Sequence, residues 1–239
     1  MATSIAVLVE PPSVISPVPR SPIRLIAFDL DGTLIDSIGD IASSVNAALV
    51  ERYGDAGRLP LGTVRGFVGS GARTLIERCL ESLGHPAADV GPVFERFLPI
   101  YKSRLVETTL LYPGMRDALD RIATAGHAQL AVLTNKPGSM SRAIVCALGL
   151  EGRFIDVIGG DDLKSRKPDP EGLLKLCAAA GVPPREAALV GDSAVDMLTA
   201  KNAGALAVGV LWGYDREGVE RERPDVTVAH PVDLVRLNT

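Results

Sequence analysis

The chain has no excess of positive charge, no long apolar run, few cysteines and no patterned histidines. Its 25 lysines and arginines face 29 aspartates and glutamates, for a net charge of -4, so no nucleic-acid partner is expected. No segment approaches the roughly 20 apolar residues that a bilayer span requires, and no membrane association is expected. The cysteines Cys79, Cys146 and Cys177 are odd in number, far apart and set in apolar helical patterns. They fit reduced core thiols in a reducing, cytoplasmic compartment better than disulfides or a zinc site. His85, His127 and His230 have no ligand spacing and are expected in surface or loop positions. The N-terminal segment carries no basic residue before Arg20, and Glu10 and several prolines interrupt its apolar run. That argues against a signal or transit peptide and makes residues 1–22 an expected mobile, proline-rich tail.

What is present is a chain of 239 residues, 46% hydrophobic, which suits one core with an inserted subdomain. Short β-rich runs recur at residues 24–28, 129–134, 154–160, 187–192 and 205–213, separated by amphipathic helical patterns. The expected fold is α/β: a Rossmann-like parallel sheet core flanked by helices, with an inserted helical cap domain. The insertion is expected over residues 38–110, which contain no buried-strand run, and the core over 23–37 and 111–239. Its three stripes run through Ile41 and Val45, through Leu75 and Cys79, and through Phe97 and Tyr101. Pro99 lies inside the third and should kink or split that helix.

In open parallel sheets, ligands bind beyond the carboxyl ends of the strands. The first run ends in Asp29-Leu30-Asp31-Gly32-Thr33, the second in Thr134-Asn135-Lys136, and the fourth in Gly191-Asp192-Ser193, with Asp196 close behind. Lys167 precedes a helix opening near Pro170, where Asp169 is expected only to cap. Each residue alone would pass for a turn former or a cap; their joint position at one rim points to chemistry. Gly32 stands at the fourth position after Asp29, where an EF-hand loop wants its glycine at the sixth. The run Gly69 to Thr74 carries only half of a dinucleotide fingerprint.

Side chains two apart on an extended segment point the same way, so Asp29 and Asp31 can address one small volume. A carboxylate is ionised at neutral pH and can attack phosphorus directly, giving an aspartyl-phosphate. Two anions meeting repel, which calls for a divalent cation and a lysine. Asp29, Asp31 and Asp192 suit Mg²⁺ through hard oxygen ligands, and Lys167 can add a second positive charge. The neighbouring carboxylate tends to raise the pKa of Asp31, fitting it to protonate a leaving alkoxide and then deprotonate water.

The stretches "DLDGTLID", "LTNK", "RKPDP" and "GDSAVDM" resemble, in order, the four motifs of the haloacid dehalogenase superfamily in its phosphatase branch. The resemblance implies Asp29 as nucleophile and Asp31 as general acid and base. It implies Thr134, Asn135 and Lys167 around the phosphoryl group, and Mg²⁺ on Asp29, the Asp31 carbonyl and Asp192, with Ser193 and Asp196 in support. It also implies a mobile cap. "VRGFVGSGARTLIER", "VIGGDDLKSRKPDP" and "GYDREG" further resemble the phosphoglycolate phosphatase family, whose substrate is a small-molecule phosphate ester. For such a ligand Gly69, Ser70 and Gly71 could offer donors and Arg65 a cation, although a helix-connecting turn and a surface arginine explain them equally well. Another sugar-phosphate, nucleotide or pyrophosphate phosphatase, a phosphoglucomutase-like transferase and a non-catalytic phosphate-binding module remain open. So does the choice between monomer and homodimer.

Overall fold

The computed structural model describes residues 22–238; the expected N-terminal tail lies outside the described residues but for Pro22. Strand β1 (Leu25–Phe28) leads into a two-residue strand β2 (Ile35–Asp36) and then a helical segment. That segment holds α1 (Ile38–Tyr53), α2 (Leu61–Arg65), α3 (Ala72–Ser82) and α4 (Val90–Lys102), and the chain returns through β3 (Leu110–Leu111). Alternation follows: α5 (Met115–Ala125), β4 (Gln129–Leu133), α6 (Gly138–Ala147), β5 (Val157–Ile158) and α7 (Glu171–Ala180). The chain continues with β6 (Ala187–Gly191), α8 (Ala194–Ala203), β7 (Leu206–Val210), α9 (Arg216–Glu222) and β8 (Val226–Val228), followed by a 3-10 helix at Pro231–Asn238.

Six strands form one parallel sheet in the order β5-β4-β1-β6-β7-β8. All four β1 residues are fully buried because helices cover both faces. Ile26 and Phe28 face a core shared with Met115, Leu119 and Ile122 of α5, while Leu25 and Ala27 face one shared with α7 and α8. The strand's period of two thus divides its side chains between two cores. Because β4 and β6 lie on opposite sides of β1, the strand order reverses there, and the crevice beyond its carboxyl end is the natural ligand site.

The helical segment has a third core of its own, built from Ile41, Val45 and Leu49 of α1, Leu75, Ile76 and Cys79 of α3, and Val93, Phe97 and Tyr101 of α4. Its entrance and exit are held together by the antiparallel pairing of β2 with β3. The expected split at Pro99 is not found: α4 runs unbroken from Val90 to Lys102. Pro99 sits in the last turn, so the loss of its N–H affects only the end of the helix. The strand expected at residues 154–160 shrinks to Val157–Ile158 at the sheet edge. Cys146, expected in the core, is exposed, whereas Cys79 and Cys177 are buried; all three are free thiols. Among the described residues no helix is long and apolar enough to cross a membrane.

Candidate active site

Asp29 follows β1 directly, and its N–H donates to Val190 O (2.9 Å), extending the pairing of β1 with β6 by one residue. This places a carboxylate where only 5% of the residue is exposed. Lys167, also buried, comes up from the loop before α7 and places its Nζ 2.9 Å from Asp29 Oδ1 and 2.6 Å from Asp196 Oδ1. Asp29 Oδ1 has this ion pair but no aligned hydrogen bond. Burial raises the Asp29 pKa to about 6, with Lys167 pulling it down and Asp196 pushing it up. Burial also works against the charge on Lys167, but Asp196 and Asp29 outweigh it and hold its pKa above the ordinary lysine range.

Asp192, one residue past β6, accepts from Thr33 Oγ1 (3.0 Å) and from the N–H of Tyr214 (2.6 Å). Burial first, and then Asp196 and Asp29, push its carboxyl well above the usual range. Asp192 does not cap α8; Ser193 does, in a capping box with Asp196. Asp196 Oδ2 accepts from Ser193 N (3.1 Å) and Ser193 Oγ (2.6 Å) while its other oxygen meets Lys167. Backbone shape makes room for this cluster. Gly32 adopts φ +85°, and a Cβ there would lie 2.2 Å from Asp192 Oδ2; a Cβ on Gly213 would lie 2.1 Å from Asp192 Cβ.

Oxygens of Asp29, Asp192 and Asp196 lie within 4.8 Å of one another. Three buried carboxylates meet one lysine here, and that imbalance calls for a further cation. The donor set consists entirely of hard carboxylate oxygens and suits a divalent hard cation. The carboxylate of Asp31, expected with Asp29 and Asp192, is not in this cluster. It accepts from Ser37 Oγ (2.6 Å) and from Lys136 Nζ (2.9 and 3.0 Å). The residue leaves the strand at β1's end, and the turn at Gly32 sends its side chain to Ser37 at the start of α1 and to Lys136 beyond β4.

Asp29 and Asp31 nevertheless face the same cavity, of about 50 Å³, between the strand ends and the helical segment. Thr134, Asn135 and Lys136 form one wall; Gly69, Gly71, Leu75, Phe97 and Tyr101 lie on another. Asn135 Nδ2 donates to Gly69 O and Lys167 O (both 3.1 Å), so its side chain ties the helical segment to the core. Its Oδ1 is buried without a partner. Ser70 is turned aside and accepts from Arg78 (3.3 Å). Arg65 does not line this cavity: it donates to Gly213 O (2.7 Å) and lies over the Tyr214 ring, 5.2 Å from its centroid. A guanidinium at the end of the short α2 reaches the loop after β7, not the strand ends. Asp169 caps α7 by accepting from Glu171 N (2.9 Å), as expected.

The sequence names Lys136 at a strand end and Tyr101 in a helical stripe but assigns no role at the site to either, nor to Tyr214. Lys136 stands beside Asn135 at a strand end, the same positional signal that singled out its neighbour. Tyr101 was legible only as part of an apolar helical stripe. Tyr214 bridges the site to the base of the helical segment: its hydroxyl accepts from Ser37 N and donates to Asp36 Oδ1, both at 2.9 Å.

Residues 26–210 match the model of the family described as haloacid dehalogenase-like hydrolase. A phosphoglycolate phosphatase of Pseudomonas putida is 38% identical over 86% of this chain and 76% of its own. One from Mannheimia succiniciproducens is 35% identical over 91% of this chain and 99% of its own. Among solved structures, that of a predicted phosphoglycolate phosphatase from Haemophilus somnus superimposes with a TM-score of 0.83 at 29% identity, covering 92% of this chain and all of that one. With the match spanning all four motifs, the chain belongs to the haloacid dehalogenase-like hydrolase family.

Proposed function

We propose that the protein is a Mg²⁺-dependent phosphomonoester hydrolase of the cytoplasm that converts 2-phosphoglycolate to glycolate and phosphate. The observation that carries this reading is the buried Asp29–Lys167 pair, in which Asp29 has an oxygen within 4.8 Å of one of Asp192 and faces a cavity that Asp31 also lines. The small cavity favours a small ester, and the relatives named above favour this one. Asp29 and Asp192, with the Asp31 carbonyl, would hold Mg²⁺; when bound, it neutralises the phosphoryl oxygens and the carboxylates facing them.

Asp29 attacks phosphorus, forming the Oδ–P bond as the P–O bond to glycolate breaks, and Asp31 gives the leaving alkoxide its proton. Asp31 then takes a proton from water, which attacks the phosphoryl group and returns Asp29 as free carboxylate with inorganic phosphate. Lys167 holds Asp29 ionised and oriented, and Asp196 with Ser193 holds Lys167. The hydroxyl of Thr134 and the N–H of Asn135 donate to the phosphoryl oxygens, the Thr134 N–H being held by Ile158 O (3.0 Å), and the segment 38–110 acts as the cap that excludes water. Phosphate release tests this, measured on 2-phosphoglycolate, a hexose phosphate, a nucleoside monophosphate and pyrophosphate, with Mg²⁺ and with chelator. Selective, chelator-sensitive release from 2-phosphoglycolate is expected. Preference for another ester would overturn the substrate, and activity unaffected by chelator would overturn the metal.

A further inference from the structure

A two-carbon acid phosphate brings a carboxylate into the cavity along with its phosphoryl group, and a buried carboxylate needs a charged partner. Most of the wall away from Asp29 is apolar: Ile41, Val68, Leu75, Phe97 and Met140. Lys136 is the one cationic side chain among the lining residues. It is buried, and its ammonium is shared between the two Asp31 oxygens (2.9 and 3.0 Å) and the hydroxyl of Tyr101 on α4. It also lies 4.5 Å from the centroid of that ring.

The Tyr101 hydroxyl accepts from Lys136, and no acceptor for its own proton is found among the described residues. An ammonium N–H and a phenolic O–H therefore converge at one wall of the cavity. Exchanging the neutral tyrosine oxygen for a carboxylate oxygen gives Lys136 a charged acceptor in place of a neutral one, and the freed hydroxyl can donate to the same group. Arg65, the alternative cation, is spent on Gly213 O outside the cavity.

Building on the 2-phosphoglycolate reading, we propose that Lys136, assisted by Tyr101 of the helical segment, is the specificity-determining residue that binds the substrate's carboxylate. Lys136 sits in the core and Tyr101 in the segment above it, so the pocket for the acid is complete only when the two parts are together. An ester of the same length with no carboxylate gains nothing from the pair.

The test compares kcat/KM for 2-phosphoglycolate and for ethyl phosphate, in the wild type and in Lys136→Met, Tyr101→Phe and Arg65→Met. Loss of Lys136 also disturbs Asp31 and slows both esters, so the ratio between them is the readout. The wild type should prefer 2-phosphoglycolate. Lys136→Met should cut that preference at least about tenfold, the worth of one charge-assisted contact, with most of the change in KM. Tyr101→Phe should cut it by a smaller factor, and Arg65→Met should leave it unchanged. A wild type without preference would overturn the substrate reading and this inference with it. A preference that survives both Lys136→Met and Tyr101→Phe, or that collapses in Arg65→Met, would overturn the inference alone.

Discussion

Asp40 offers the sharpest test of how the helical segment is fixed to the sheet. It lies in the first turn of α1, 1% exposed, and accepts from the backbone N–H groups of Thr108 (2.9 and 3.0 Å) and Thr109 (2.9 Å). It also accepts from their hydroxyls at 2.6 and 2.7 Å. One carboxylate thus joins the outgoing and returning chains of the segment beside the short β2–β3 ribbon. In Asp40→Ala the hydroxyls can rotate to other acceptors, and water can reach the exposed Thr108. The buried Thr109 N–H loses its only acceptor among the described residues. Counting about one full and one partial desolvated donor gives a loss of about 2–4 kcal/mol. For a chain of this size that corresponds to a drop of about 4–16 °C in Tm. Burial pushes the Asp40 carboxyl up, but the hydrogen bonds from Thr108 and Thr109 outweigh it and leave the pKa below its usual value. A depressed pKa means stability that is present above the unfolded value of about 3.9 and is lost as pH falls through the folded value. The gap between wild type and Asp40→Asn in denaturant midpoint should therefore be full at pH 6 and narrow below about pH 4. A Tm for Asp40→Ala within about 2 °C of wild type would refute the reasoning.

Asp29→Asn should lower kcat by at least about a thousandfold while leaving the circular dichroism spectrum intact, since it removes the nucleophile but keeps the side-chain volume. Lys167→Ala leaves Asp29 and Asp196 buried without their cation and should cost about 3–5 kcal/mol by denaturant unfolding, besides activity. The Asp29 pKa is raised to about 6, so its contribution to stability without added metal is present at low pH and lost as pH rises through that value. Mg²⁺ should consequently raise Tm more at pH 7.5 than at pH 5.5, where proton and cation compete, and an equal rise at both would place the cation elsewhere. Burial pushes the Cys79 thiol up to about 12, so a thiol reagent should label the exposed Cys146 in the native protein and reach Cys79 and Cys177 only on unfolding.

The sheet was legible because β1, β4 and β6 are buried on both faces and read as continuous apolar runs bounded by turn residues. β2 and β3, two residues each, have no periodicity to detect, and β8 is three residues in a polar context. The acids at strand ends were legible because position in a parallel sheet fixes which residues reach the crevice. Their division of labour was not. Whether the carboxylate of Asp31 faces Asp192 or Lys136 depends on the turn at Gly32, and Arg65 was misplaced because α2 carries it toward the loop after β7. Tyr101 shows the same limit from the other side: helical spacing says which face is buried, but not that a hydroxyl on that face meets a lysine across the cavity.

The central claim is that Asp29, poised on Lys167, carries the phosphoryl group. Its most direct test is intact-mass analysis of Asp31→Asn, quenched in acid during turnover of 2-phosphoglycolate with Mg²⁺. Loss of Asp31 slows both steps, the second more because water needs a base to attack, so one added phosphoryl group should accumulate and map to the peptide containing Asp29. Continued phosphate release with no adduct, or an adduct on any other residue, would contradict the account.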